Sequence, residues 1–133
     1  MRKVLLLTVV MLAVIAVRAQ KQNGPILTWE KGTHDFGEVV QGDKVEHTYK
    51  FTNTGNEPLI ITNVQPSCGC TLPKSWPRDP IMPGGSGELV IAFNSAGKSG
   101  KLDRVTAVVS NAVNEGANQI KFSANVVEKK LPN

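Results

Sequence analysis

Apolar and polar residues alternate most clearly along Lys44–Asn53. Val45, His47, Tyr49 and Phe51 occupy one set of positions, and Glu46, Thr48, Lys50 and Thr52 the other. A two-residue period sends the two sets to opposite faces of an extended chain, so this stretch predicts a strand with one buried and one wet side. Gly87–Asn94 repeats the pattern with Leu89, Ile91 and Phe93 inward, and Gln119–Val127 repeats it with Ile120, Phe122, Ala124 and Val126 inward. Lys101–Ser110 carries Leu102, Arg104, Thr106 and Val108 on one side and Val105, Ala107 and Val109 on the other. Over Val105–Asn114, propensity alone leaves a helix as the alternative to this strand. Ile26–Glu30, which holds Trp29, and Thr33–Val39, which follows a break at Gly32, predict two shorter strands.

The connections fit the same architecture. Gln41-Gly42-Asp43 and Asn53–Pro58 are rich in residues that turn the chain. The second turn leads into an apolar strand, Leu59–Val64, and Pro66 then ends pairing because it has no N–H to give a ladder. Thr71–Gly87 reads as a long loop, broken by Pro73, Pro77, Pro80 and Pro83. About seven short antiparallel strands with regularly spaced turns predict an all-β fold, an immunoglobulin-like β-sandwich.

The first residues stand apart from this pattern. Arg2 and Lys3 precede a 14-residue run, Val4–Val17, that is apolar except for Thr8, and Val17-Arg18-Ala19 offers a cleavage site. These features predict a signal peptide over residues 1–19. The run is short of the ~20 residues that span a bilayer, so no membrane span is expected after cleavage. Residues 20–27 are expected to be a flexible lead, and 28–128 the sandwich domain. Removing Arg2, Lys3 and Arg18 from the 15 basic residues leaves 12 against 11 acidic, a net charge of +1 instead of +4. That near-balance gives no electrostatic ground for a nucleic-acid partner.

The chain has two cysteines, Cys68 and Cys70, separated by Gly69. Four chemistries suit the pair: a short-range disulfide in an oxidising compartment, two packed free thiols, thiol exchange, or soft-metal binding, most plausibly of Cu(I). Two thiolates need a further ligand, and His47, on the inward register, or His34, read as a surface residue, would supply it. Successive antiparallel strands bring the start of Lys44–Asn53 and the end of Leu59–Val64 to one end of the sandwich, which shortens the path from His47 to the cysteines. Trp76 and Arg78, inside the proline-rich stretch, are of the types that dominate protein interfaces, so they are candidate partner contacts; Trp76 alternatively caps the end of the sandwich. Ala92–Ser99 approaches a phosphate-binding loop, but a strand follows where that chemistry needs a helix N-terminus, so no nucleotide is expected. Two histidines and the lack of a Gly-x-Ser-x-Gly elbow argue against a hydrolase.

His34-Asp35-Phe36-Gly37-Glu38-Val39, Phe51–Ile61, Ser67-Cys68-Gly69-Cys70-Thr71, and Pro83-Gly84-Gly85 followed by Ile91-Ala92-Phe93 together resemble a bacterial family known as domain of unknown function 1573. The resemblance covers roughly Trp29–Val127. It implies a sandwich fold and an exported location, periplasmic or extracellular, and it carries no catalytic residues. The expectation is a non-enzymatic module that binds a protein or another envelope component. The alternative expectation is a periplasmic Cu(I) or thiol protein centred on Cys68-Gly69-Cys70; apart from that Cu(I), no cofactor is expected.

Overall fold

The computed structural model describes residues 23–129, and the expected signal peptide lies outside them. Eight strands follow in order: β1 (Leu27–Trp29), β2 (Thr33–Val40), β3 (Lys44–Asn53), β4 (Ile61–Pro66), β5 (Thr71–Ser75), β6 (Ser86–Asn94), β7 (Gly100–Ser110) and β8 (Gln119–Val127). They form two four-stranded sheets, β1-β3-β6-β5 and β2-β8-β7-β4. The protein is an immunoglobulin-like β-sandwich, and its inward residues are those the two-residue period selects. Tyr49, Phe51, Leu89, Ile91, Phe93, Ile120, Phe122, Ala124 and Val126 are all buried between the sheets. Burying a side chain of the larger types contributes about 1.5–3 kcal/mol, so these rows supply much of the driving force for closure.

Several details differ from the sequence expectation. The strands number eight, and they are not all antiparallel. After Gly32 the chain leaves the first sheet, and β2 pairs in parallel with β8, from Thr33 opposite Lys121 to Val40 opposite Val127. The start of the supposed long loop is β5, with Thr71 opposite Phe93 and Pro73 opposite Ile91. Pro73 is tolerated because β5 is an edge strand, where a missing N–H breaks no ladder bond. The helical alternative at Val105–Asn114 is also overturned. β7 continues to Ser110, and the nearest helical geometry is a single 3-10 turn at Glu115–Ala117.

The expected flexible lead over residues 20–27 is packed where it is described. Gly24 and Pro25 are buried, and Leu27 is 1% exposed. Gly24 and Pro25 carbonyls accept bonds from the Asn56 and Val113 amides. Pro66 is the last residue of β4, but its nitrogen faces the open edge and does not end pairing, since the Ser67 amide beyond it still donates to the Val105 carbonyl. Gly97, at φ +71°, forms the turn between β6 and β7 with Ser95, whose carbonyl accepts from Lys98. The near-match to a phosphate loop is therefore a turn between two strands.

Candidate functional site

The cysteine pair lies in the turn that enters β5. Cys68 and Cys70 are joined as a disulfide, with Cα atoms 5.3 Å apart. The Cys70 amide also donates to Cys68 Sγ at 3.2 Å, and the Thr71 amide to the Cys68 carbonyl at 3.3 Å. Gly69 is exposed, with open space where a Cβ would stand, so the ring turns freely at that residue. Joined sulfurs offer no thiolate to a metal. A crosslink this short closes too little chain to remove more than about 1.5 kcal/mol of unfolded-state entropy. Air-exposed protein should therefore have an intact mass about 2 Da below its reduced form and should resist thiol alkylation. Reduction should shift the denaturation midpoint only slightly. A cooperative loss of fold on reduction would contradict this.

His47 does not join the cysteines. The Cys70 carbonyl accepts from the Asn94 amide, and Asn94 lies opposite Lys44, so the turn does share an end with the start of β3. β6, however, separates β3 from β5, and His47 is committed elsewhere. Its ring stacks on His34 of the facing sheet, with centroids 3.6 Å apart and planes 7° from parallel. Among the described residues, no three His, Cys, Asp or Glu side chains are grouped to hold a metal. The possible metal set of Cys68, Cys70 and His47 is thus not assembled.

His34 is half-buried, not a surface residue. Phe36 meets its ring edge-on at 4.6 Å, Tyr49 meets His47 edge-on at 4.7 Å, and Phe36 continues to Phe122 at 5.4 Å. The Tyr49 hydroxyl donates to the Lys121 carbonyl at 2.8 Å, and burial pushes its pKa up to about 12. Burial also holds both imidazoles below their ordinary value. Lys31 adds to the depression at His34, which Asp35 partly opposes; the His34 charge and Lys31 add to it at His47.

A lowered histidine pKa has a definite sign in stability. As pH falls below the unfolded value of about 6.5, the unfolded chain takes up protons first, so stability declines; well above that value neither state is charged and the effect vanishes. The denaturation midpoint should therefore fall between about pH 7.5 and about pH 5.5, and fall less in the His34→Gln/His47→Gln double variant. Parallel curves for the two proteins would contradict the stacked arrangement.

Trp76 and Arg78 come together at the far end of β5 from the disulfide. Arg78 Cζ stands 3.8 Å from the centre of the Trp76 ring. Trp76 is half-buried against the core, while Arg78 is exposed above it. Trp76 Nε1 is buried with no hydrogen-bond partner among the described residues. Pro77 is fixed beside Gly87, where an added Cβ would stand 3.0 Å from Pro77 Cγ. The pair is therefore an amphipathic knob on the rim. A separate cleft of about 520 Å³ opens beside β2 and β8, bordered by Lys31, His34, Asp35, Arg104 and Lys121. Its charges are mixed, with Asp103 and Ser123 completing the polar lining.

Residues 27–126 match the family model described as "Protein of unknown function (DUF1573)". The chain belongs to this family. No curated protein matches it. Among solved structures, a protein of unknown function from Porphyromonas gingivalis W83 superposes with a TM-score of 0.66 at 20% identity, over 81% of this chain and 50% of that one. The family member described here thus spans half the length of that protein. The ASH/PapD-like domain 7 of human CEP192 gives a TM-score of 0.61 at 12% identity, covering 84% of this chain and 92% of that domain. The VesB protease of Vibrio cholerae gives 0.55 at 14% identity, over 78% of this chain and 32% of the protease. At these identities the likeness is one of fold.

Sequence reasoning missed one residue that organises the molecule. Asn53 reads as the first residue of a turn, yet it is 0% exposed. Its side chain accepts from the Ile26 and Gly55 amides and donates to the Glu57 and Ile81 carbonyls. Its place on the inward register of Tyr49 and Phe51 was the available signal, since a buried strand end needs a side chain that both donates and accepts. No helix among the described residues is long and apolar enough to cross a membrane.

Proposed function

We propose that the protein is an exported, non-enzymatic binding module of the cell envelope, and that the rim knob of Trp76 and Arg78 contacts its protein partner. The observation that carries this reading is the Arg78–Trp76 stack, in which Arg78 is exposed over a half-buried Trp76. Tryptophan and arginine dominate interface hot spots because a large flat surface and a delocalised charge can be desolvated with little ordering cost. The immunoglobulin-like fold supports the reading, because its strands fix the loops that carry such contacts. Envelope location is inferred from residues 1–19 and from the cysteine pair, whose joined state suits an oxidising compartment.

A photo-reactive residue replacing Arg78 in the native host cells tests it. A discrete protein adduct, absent with the label at Lys101 and lost when Trp76→Ala is added, is the expected result. Equal adducts from both positions, or none from position 78, would overturn the assignment.

A further inference from the structure

A sheet edge is a row of backbone donors and acceptors, and most edges of this sandwich are blunted. On β4, the outward Val64 amide is taken by the Asn63 side chain, and Pro66 has no N–H. On β5, the Thr71 amide is taken by Cys68, and Pro73 has none. On β1, Asn114 both donates to and accepts from the Leu27 backbone, at 2.8 and 3.0 Å. On β2, a bulge between Asp35 and Glu38 breaks the row, and the Asp35 carboxylate takes the Gly37 amide. Such devices discourage strand addition.

One length of edge lacks them. The Asn53 amide donates to the Gly85 carbonyl, and the Ser95 amide donates to the Asp43 carbonyl, so the odd residues of β3 face β6. The Glu30 amide donates to the Lys50 carbonyl, so the even residues face the lane that β1 occupies. β1 covers only Phe51–Asn53, and the chain then crosses to the other sheet. The amides and carbonyls of Glu46 and Thr48 therefore point into an empty continuation of the β1 lane. Among the described residues they have no partner. The His34–His47 stack and Phe36 form the apolar floor of that lane. Lys44 and Lys50 flank Glu46 and Thr48 along β3, and Lys31 is near enough to the imidazole stack to lower both its pKa values, while the Glu46 carboxylate is engaged by Lys74 at 3.7 Å.

We propose that this lane accepts an extended segment of a partner protein, added as a strand beside Lys44–Thr48. The occupant is set by the lane: alternating backbone donors and acceptors call for an extended chain, the aromatic floor for an apolar side chain facing inward, and the flanking lysines for an acidic residue facing out. The inference rests on the chain being a binding module, and it places a second contact away from the Trp76 rim.

The test uses the intact protein to select from a displayed library of short random peptides. Recovered peptides should alternate apolar and polar residues, and binding should slow amide exchange at Glu46 and Thr48. Thr48→Pro should weaken binding about tenfold or more, the worth of a lost backbone bond. Because that variant disturbs folding if the turn shifts, the peptides supply a second readout: N-methylation at one alternate set of residues should abolish binding, and at the other set should not. Trp76→Ala should leave peptide affinity unchanged, whatever becomes of the rim adduct. Failure to recover a peptide would overturn the proposal. So would peptides that leave the two amides unprotected or bind regardless of methylation phase, loss of binding in Trp76→Ala, or protection of the lane by concentration-dependent pairing of two copies of this chain.

Discussion

Phe51→Ala should destabilise the protein by about 3–5 kcal/mol, the range for removing a buried aromatic ring. The ring is 1% exposed and meets Trp29 edge-on at 5.3 Å. It also fills the space above Gly87, where an added Cβ would stand 2.5 Å from Phe51 Cζ. The ring is flanked by Trp29 of β1 and Gly87 of β6, which limits collapse around the cavity. The complementary change, Gly87→Ala, should cost about 1–3 kcal/mol, since overpacking against a ring and a proline leaves neither neighbour room to yield. Chemical denaturation of both variants checks this. A Phe51→Ala midpoint close to wild type would remove Phe51 from the core.

Asn53→Leu should cost at least about 3 kcal/mol although it adds apolar volume. Four backbone groups lose their partner, and each bond is worth about 1 kcal/mol, with a further cost for any group that stays dry. Those groups belong to the β1 lead, the β3–β4 turn and the Ile81 bridge to Leu59. The variant should therefore loosen all three together, with amide exchange speeding at Ile26, Gly55 and Leu59. Asn53→Asp restores acceptance but not donation, and should fall between. A wild-type midpoint for Asn53→Leu would show that water replaces the side chain, contrary to its complete burial.

Most of the sandwich was legible because burial of one face writes a period of two into the sequence. The inward sets on β3, β6 and β8 follow directly from it. β5 was hidden because Pro73 reads as a breaker, and only its place at an edge makes it harmless. The parallel pairing of β2 with β8 was hidden too: periodicity gives a residue's face and not its neighbour. For the same reason His47 could be placed inward, while its partner could not be known. The crossing after Gly32 brings His34 onto it, and that is what separates His47 from the cysteines. The disulfide was one of several chemistries the motif allowed, and residue types alone do not choose among them. Asn53 was masked by its setting, since Asn-Thr-Gly-Asn serves equally well as a solvated turn.

The alternation along β3 underlies both the core and the open lane, and amide exchange reads it residue by residue. In the free protein, Val45, His47 and Tyr49 should exchange slowly because they bond to β6, whereas Glu46 and Thr48 should exchange fast. Uniform protection from Lys44 to Tyr49, or slow exchange at Glu46 and Thr48 alone, would contradict the register on which the account stands.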